Sequence, residues 1–449
     1  MARRFRHLLT STFLTTSLFL ASCGDGNDSP DAPVSGEAPA IETEALAPEA
    51  STAGGDDHHP AVEARDMDAI TADLHATLMT VDTHVDIPDT FATDDVDPGH
   101  RGRYQVDLIK MEEGNLNTVF FVVYVGQKER TEENYTEAMA KARNKFDAIH
   151  RMTDELYSDR IEMAYTADDV DRIRASGKMV ALIGVENGFA FGPDASTAQE
   201  YYDRGMRYAG FSHIGHSNFA DSSWPRPDFG DGEEEHGGLS DEGRSLLAEL
   251  NRLGVMADVS HASKASTLEI ARTSKAPVIA SHSGAFGVYD HVRNLSDEEL
   301  LAIKESGGVI QAVGFDGYVK AAPAEKKAAT DALKEKYEFT RANRATLSKE
   351  TIAAYRAELE AIHETWPRSS VGDFVDHIDY MVALIGIDHV GISSDFDGGG
   401  GLTGWMDASE TPNVTAELIA RGYSVGEIKK LWGENLLRVL REVEAKAER

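Results

Sequence analysis

The feature that most constrains the fold is an alternation of short apolar runs with longer amphipathic stretches, from about residue 67 to the C-terminus. Eight runs have the length and composition of buried strands, and the stretches between them have helical spacing. This order predicts a (β/α)8 TIM-type barrel. An open doubly wound sheet is the alternative, but the glycine-rich phosphate turn expected after its first strand does not follow "VDTH".

Six of the eight apolar runs end on residues that can bind a metal or transfer a proton. In a barrel of parallel strands, the carboxyl ends of all strands meet at one mouth. We therefore expect these side chains to lie close together, although their positions in the chain are far apart. The six runs end at His84 with Asp86, and at Glu186, His213, His261, His282 and Asp395.

The number of candidate ligands favours two metals over one. His84, Asp86, Glu186, His261 and His282 exceed the three protein ligands that a single catalytic zinc usually has. Glu186 ends a middle run and is suitably placed to bridge two cations. A hydroxide between the cations would be a nucleophile at neutral pH, because metal binding lowers the pKa of water.

The H-x-D spacing of the first run is not informative alone. It recurs at His377 and Asp379, where the periodicity predicts an ordinary half-exposed helix. The first pair differs because it ends a strand in a ring of similar strand ends. Residues 320–370 are also predicted to be helical, and we expect them to form an insertion beside the barrel mouth.

Several longer motifs resemble those of the membrane (renal) dipeptidases, metallopeptidases with an amidohydrolase-like barrel. They include "VDTHVDIP", "IGVENG", "LNRLGVMADVSHAS", "PVIASHSGAFGVYDHVRNLSD" and "DHVGISSDFDGG", and they span nearly all of the globular part. The chain departs from the family at Val85, where Asn is common. That residue is not a ligand, so the departure does not affect the expected metal binding.

The resemblance implies a cofactor of two Zn²⁺ ions and, in the family, a homodimer. His84 and Asp86 would bind one zinc ion, and His261 and His282 would bind the other. Glu186 would bridge the two ions. The imidazole and carboxylate ligands agree with the preferences of zinc.

The resemblance also implies roles in substrate binding and proton transfer. His213 would contact the substrate and stabilise the oxyanion, and Arg293 would hold the C-terminal carboxylate of a dipeptide. Asp395 would carry the proton to the departing amine. A C-terminal D-residue is included among the expected substrates. From the residues alone, Asp397 is a rival to Asp395 but is better suited to shaping the following turn. A surface salt bridge to Asp297 or Glu298 remains open for Arg293.

Two other functions remain open. The chain could be another binuclear amidohydrolase, such as an N-acyl-amino-acid hydrolase, a lactonase or a phosphotriesterase. Many of those enzymes bridge their metals with a carbamylated lysine at a strand end, and none of the eight runs ends on lysine. A non-catalytic lipoprotein that binds zinc or peptides is the third hypothesis. It is disfavoured by Asp395, because a degenerate barrel would be expected to lose its proton-transfer group.

The N-terminus predicts export and lipid attachment. Arg3, Arg4 and Arg6 precede an apolar stretch that is too short to span a membrane, and "LASC" follows. This resembles the lipobox of bacterial lipoproteins, with Cys23 as the lipidated residue; an ordinary cleavable signal is the alternative. The predicted segments are a signal peptide at 1–23, an acidic disordered tether at 24–66 and one barrel domain at 67–449. The protein is expected to be extracytoplasmic and anchored to a bacterial cell membrane.

Charge and cysteine content exclude other classes. The formal net charge of −33 disfavours binding to nucleic acid or to anionic lipid headgroups. Cys23 is the only cysteine, so an intramolecular disulfide is impossible. His216 and His236 are candidates for substrate contact, whereas His100, His291, His363 and His389 are expected to be structural or at the surface.

Overall fold

The computed structural model describes residues 64–339 and 347–448. The predictions for the signal peptide, for Cys23 and for most of the tether therefore lie outside the described residues. Helix α1 begins at Ala64 and leads directly into the first strand. Within the described ranges, no helix has both the length and the apolar character that crossing a membrane requires.

Eight parallel strands form a nearly closed barrel, which confirms the predicted fold. Around the barrel their order is β1-β2-β4-β5-β6-β7-β8-β9. The barrel closes between the first and last strands, where the amide of Asp86 donates to the carbonyl of Phe396 at 2.9 Å. The strands are β1 (Val81–Asp86), β2 (Thr118–Tyr124), β4 (Met179–Glu186), β5 (Met206–Gly210), β6 (Met256–Asp258), β7 (Ile279–Ser283), β8 (Val309–Val313) and β9 (Val390–Ser393).

Two details of the strands differ from the sequence prediction. A ninth strand, β3 (Ile161–Met163), pairs with β4 at the edge of the barrel and was not predicted. Strands β5 and β6 also end earlier than expected. His213 and His261 therefore do not end strands but lie three residues beyond Gly210 and Asp258, in the connecting loops.

The helices surround the strands and follow the predicted alternation. Their ends carry ordinary capping chemistry: Ser240 caps α6 through its side chain, and Gly254 ends that helix in the left-handed conformation. The helices are α1 (Ala64–His75), α2 (Leu108–Glu113), α3 (Glu132–His150), α4 (Ala167–Ala175), α5 (Ala198–Asp203), α6 (Asp241–Leu253), α7 (Lys264–Thr273), α8 (Asp297–Glu305), α9 (Asp316–Val319), α10 (Ala324–Lys336), α11 (Lys349–Thr365), α12 (Val371–Ile385), α13 (Pro412–Ala420), α14 (Val425–Lys429) and α15 (Asn435–Lys446).

The predicted insertion and the predicted helix around His377 are both present. Helices α10 and α11 form the insertion. Helix α12 contains His377 and is buried along one side only, as predicted for a half-exposed helix, and His377 lies on the buried side. Its Nδ1 accepts from the amide of Ala285 and its Nε2 donates to the carbonyl of Val319, both at 2.9 Å. His377 is thus a structural residue that joins three segments of the chain.

The strands are buried on both faces, which explains why they are recognisable as continuous apolar runs. One face of each strand packs against the surrounding helices. The other faces the barrel interior, where polar side chains such as Asp82, Asp258 and Gln311 are also buried. Charged groups inside a barrel need partners. Those partners occur at the carboxyl ends of the strands.

Candidate metal-binding and catalytic site

Four histidines from the predicted strand ends converge on the carboxylate of Glu186. Nε2 of His261 lies 3.1 Å from Oε1 of Glu186, and Nε2 of His282 lies 3.4 Å from the same atom. On the other side of the carboxylate, Nε2 of His84 lies 3.6 Å from Oε2. His213 is also close, with its Nε2 3.7 Å from Oε1. All of these side chains are buried.

Three overlapping groups of donor atoms occur here, each with its atoms within 4.8 Å of one another. Glu186 belongs to two of the groups and His84 to two, so the groups form one continuous cluster. The grouping does not follow the predicted division exactly, because His282 groups with His84 and His213 with His261. The groups are His84–Glu186–His282, Glu186–His213–His261 and His84–Asp86–Asp395.

Several donor atoms in this cluster lack a hydrogen-bond partner, which is the observation that fits a metal. Both carboxylate oxygens of Asp86 and Oε2 of Glu186 are buried and unpartnered. Nε2 of His261 and Nε2 of His282 face each other at 3.0 Å. Buried polar atoms are normally paired, and exceptions indicate an absent ion or water. The residues present therefore fit divalent cations with nitrogen and oxygen ligands.

The electrostatics of the cluster also indicate a need for positive charge. Burial lowers the pKa of His84, but the charges of Glu186, Asp86 and Asp395 outweigh it and raise the pKa to about 10. A proton on His84 thus takes the place of a cation among three carboxylates. Burial, followed by neighbouring positive charge, lowers the pKa of His261 to about 3. The neutral imidazole that results is the form that binds metals.

Residues that the sequence did not single out orient two of the histidines. The hydroxyl of Tyr208 lies 3.0 Å from Nδ1 of His84 and also donates to the carbonyl of Thr83. The hydroxyl of Ser281 lies 2.8 Å from Nδ1 of His282 and donates to Asp258 at 2.6 Å. Because each Nδ1 is engaged in this way, each Nε2 is directed to the donor cluster.

Two further residues support the site from strand β2 and helix α3. Tyr124 ends β2, and its ring packs against His213 with centroids 4.7 Å apart. Its hydroxyl lies 3.5 Å from Nδ1 of His213. Lys145 is buried, and its Nζ donates to the carbonyl of Ile87 at 2.7 Å, just beyond β1. No carboxylate of the described residues lies within 4.0 Å of this ammonium group.

Arg293 is buried rather than part of a surface salt bridge. It is 2% exposed, and its Nη2 donates to the carbonyl of His282 at 3.2 Å. Its Nε is buried without a hydrogen-bond partner. The two rival acids are engaged elsewhere, since Asp297 accepts from Tyr380 and Glu298 pairs with lysine and arginine side chains. A buried guanidinium with a free donor is suited to an anionic group.

Asp395 and Asp397 occupy different environments despite their proximity. Both oxygens of Asp397 accept backbone amides, from Gln105 at 2.9 Å and from Val106 at 3.2 Å. Asp395 instead belongs to the donor cluster. Burial raises the pKa of Asp395 well above its usual value, and the charges of Asp86 and Glu186 add to this against the opposing charge of His84. This direction favours the protonated form of the carboxyl, which suits a residue that transfers a proton.

Two residues of the site have an unusual backbone conformation. His261 has φ +68° and Asp395 has φ +57°, in the left-handed region that non-glycine residues rarely adopt. Strain of this kind concentrates at functional sites, where surrounding structure holds it in place. Both residues were predicted from the sequence because they follow strands. Their left-handed backbone conformation could not be predicted from the sequence.

The remaining histidines do not belong to the donor groups. His216 accepts from the amide of Ser222 through Nδ1, and its Nε2 lies 3.1 Å from the carbonyl of Gly232, so both ring nitrogens are engaged within its own loop. His236 contacts the carbonyl of Ser217. Four others that the sequence analysis named also lie apart from these groups; they are His100, His291, His363 and His389.

Comparison with known proteins agrees with this geometry. Residues 69–449 match the family described as membrane dipeptidase, peptidase family M19. Dipeptidase tcpJ of Claviceps purpurea is 32% identical over 344 residues, which cover 76% of this chain and 69% of that protein. Dipeptidase aclJ of Aspergillus oryzae is 31% identical over 345 residues, which cover 76% and 70%.

Solved structures give the same result for the fold. The probable dipeptidase PvdM from Pseudomonas aeruginosa is 35% identical, with a TM-score of 0.76 over 86% of this chain and 100% of that one. A metallo peptidase from Rhodobacter sphaeroides, liganded with a phosphinate mimic of L-Ala-D-Ala, is 23% identical. It has a TM-score of 0.62 over 82% of this chain and 99% of that one, and shares the fold.

Proposed function

The chain belongs to the membrane dipeptidase family and is a metal-dependent dipeptidase; on that premise we propose that its site holds two zinc ions and cleaves the single amide bond of a dipeptide. The observation that carries the proposal is the position of Glu186, whose carboxylate is shared by two groups of nitrogen donors. A single metal would leave part of this cluster unpartnered.

The proposed ligands are those that surround Glu186. His84 and Asp86 would hold one ion, and His261 and His282 the other, with Glu186 common to both. When bound, the ions would polarise the scissile carbonyl and lower the pKa of the attacking water. Two observations support this set. The buried oxygens of Asp86 and Oε2 of Glu186 have no hydrogen-bond partner, and Nε2 of His261 faces Nε2 of His282.

Substrate length would be limited by Arg293. Its free Nε and its position beside His282 suit it to bind the C-terminal carboxylate of the substrate. Because the arginine is buried next to the donor cluster, a longer peptide would place an uncharged amide where the carboxylate is needed. This explains a preference for dipeptides, with a C-terminal residue of either configuration.

Proton transfer and oxyanion stabilisation would be divided between Asp395 and His213. Asp395 belongs to the cluster and is favoured to hold a proton, so it can pass that proton to the leaving amine. His213 has its Nε2 near Glu186 and its Nδ1 near the hydroxyl of Tyr124. A ring fixed in this way can donate to the developing oxyanion.

The test compares substrate classes on the purified protein. L,L and L,D dipeptides are expected to be hydrolysed, whereas N-acetylated amino acids and lactones of similar size are not. Arg293→Gln should raise KM for dipeptides and lower kcat/KM by about 100-fold, because a charge-assisted bond worth roughly 3 kcal/mol is lost. Arg272→Gln, an exposed arginine on helix α7, is the control. Faster hydrolysis of acylated amino acids or lactones than of dipeptides would reject the proposal in favour of another amidohydrolase.

Attachment to a membrane through lipid on Cys23 is a separate proposal, supported by the lipobox-like sequence. The lipid would place the barrel outside the cytoplasm on its tether. A homodimer is also proposed, from the family resemblance. Metabolic labelling with a palmitate analogue should mark the wild-type protein but not Cys23→Ala. Labelling that persists in this variant would reject the anchor. The elution volume of the detergent-solubilised protein measures the oligomeric state.

A further inference from the structure

A cavity of about 840 Å³ opens beside strand β1 and is not used by the function proposed above. Its walls are the end of β1, the segment between β1 and α2, the loop after β9 and one face of helix α11. Asp86, with both oxygens buried and unpartnered, belongs to this lining. The cavity therefore adjoins the donor cluster at Asp86.

The cavity and Arg293 lie at different strands of the barrel. Strand β1, which leads into the cavity, is separated from β7 by β8 and β9 around the barrel. Arg293 follows β7 and contacts His282 and the ring of Tyr318, and none of these three residues lines the cavity. If Arg293 holds the C-terminal carboxylate, the N-terminal residue of the substrate is directed towards the cavity. This step rests on the proposed function.

The size and lining of the cavity indicate what it can hold. Cavities of roughly 300–1,000 Å³ hold ligands of drug size, so a volume near the upper end exceeds what an alanine or glycine side chain needs. The lining has an apolar part, which includes the buried Ile87 and Phe91 and the partly buried Ile352. A long side chain with an aliphatic stem would bury that stem here.

Two arginines of the cavity lining are available to bind an anion. Arg103 and Arg356 line the cavity, are exposed, and have no carboxylate of the described residues within 4.0 Å. Arg103 is held over the ring of Tyr104, with Cζ 5.0 Å from the centroid. Two exposed arginines without an acidic partner are unusual in a chain with a net charge of −33.

The acidic residues of the lining are mostly engaged. Asp97 accepts from Tyr157 and from the amide of Gly99, and Asp107 caps helix α2. Arg101, a third arginine of the lining, already pairs with Glu113. Within the described part of the lining, two acids have no such partner: Asp86, which is a proposed metal ligand, and Asp95, which is exposed.

We propose that this cavity binds the side chain of the substrate's N-terminal residue, and that it selects dipeptides in which this side chain is long and ends in an anion. The aliphatic stem would lie against the apolar part of the lining. The terminal carboxylate would meet the guanidinium groups of Arg103 and Arg356, which accept planar anions in a fork geometry. The chain is thereby assigned a substrate class narrower than dipeptides in general.

The test is a matched panel of dipeptides assayed with the purified protein. Nε-succinyl-lysyl-alanine places a carboxylate at the end of a long stem, and its succinamide counterpart differs only in lacking the charge. Alanyl-alanine reports the basal activity. We expect the highest kcat/KM for the succinyl substrate, with an advantage over the amide on the order of fivefold per arginine. That advantage should shrink as salt is raised, because the arginines are exposed.

Variants assign the effect to the cavity. Arg356→Gln, Arg103→Gln and the double variant should each lower kcat/KM for the succinyl substrate and leave alanyl-alanine unchanged. Arg272→Gln removes an exposed arginine far from this lining and should change neither.

Each outcome has a distinct meaning. Equal rates for the charged and uncharged partners would overturn the anion preference, and hydrolysis of alanyl-alanine in the same assay would show that the dipeptidase function stands. A charge preference that survives the double variant would also overturn the proposal. Failure to cleave any dipeptide would reject the proposed function and this inference with it.

Discussion

Replacement of Ser281 by alanine tests how the site holds one of its histidines. The Ser281 hydroxyl donates to Asp258 at 2.6 Å and lies 2.8 Å from Nδ1 of His282. Because its own proton is committed to Asp258, the hydroxyl can only accept from the ring, which places the N–H on Nδ1. The lone pair of Nε2 then faces the donor cluster. Ser281→Ala removes this acceptor and leaves a buried N–H without a partner.

The expected magnitude follows from the kind of contact that is lost. Loss of a hydrogen-bond partner behind a metal-binding histidine usually costs about 10–100-fold in metal affinity. That range corresponds to about 1.4–2.8 kcal/mol. The unsatisfied donor should also lower the free energy of unfolding of the metal-free protein by about 1–3 kcal/mol. Both effects should be smaller if the ring rotates to find another acceptor.

The assay is a zinc titration in a metal buffer, with activity and bound metal measured at each free zinc concentration. Ser283→Ala is the matched control, because Ser283 lies on the same strand, is equally buried and contacts Ser260 rather than a histidine ring. We expect weaker zinc binding for Ser281→Ala only, with near-normal activity at saturating zinc. Equal zinc affinities for wild type and both variants would refute the reasoning about His282.

Three other substitutions test the surroundings of the cluster. Gly398→Ala should lower metal affinity by roughly tenfold or more, because its Cβ would lie 2.3 Å from two carboxylate oxygens of the site; Gly426→Ala, with no atom closer than 4.0 Å, is the control. Lys145→Met should lower kcat/KM by about tenfold, since it removes both a buried charge and a bond to the backbone after β1; unchanged kinetics would contradict this role. Tyr124→Phe should lower kcat by a few-fold with KM unchanged, because it frees the ring of His213; a change confined to KM would contradict it.

The barrel and the approximate location of its site could be predicted from the sequence. Parallel strands buried on both faces are continuous apolar runs, so their existence is easy to recognise. Once a barrel is assumed, residues at the strand ends must meet at one mouth. This reasoning brought Glu186 together with His84 and His282 without any knowledge of distances. It required only the type of residue at each strand end.

Residues that act from behind the site could not be predicted in the same way. Tyr208 lies within strand β5 and Lys145 lies on a helix, so no pattern of spacing separates them from structural residues. Asp258 was passed over because the run that contains it was expected to end at His261 rather than at Asp258. Their importance depends on register and side-chain direction, which only the three-dimensional structure gives. Strand β3 was missed because three residues are too few to show a period.

The environment of a residue was also harder to predict than its position. The sequence was equally compatible with two positions of Arg293, beside the site or in a surface salt bridge. The loop after β7 could have faced either way. The helix that contains His377 was expected to be half-exposed, but its periodicity did not show that His377 would lie on the buried side. His377 is buried because the loop after β7 and the end of α9 both pack against it.

The central claim is that two metal ions share Glu186, and the most direct test is a titration of the metal-free protein with zinc. Bound metal and dipeptide hydrolysis should be measured together, for the wild type and for Glu186→Gln. We expect wild-type activity to rise until about two equivalents are bound. Glu186→Gln should bind less metal and have little activity. Full activity after chelation, or wild-type levels of metal and turnover in Glu186→Gln, would contradict the account.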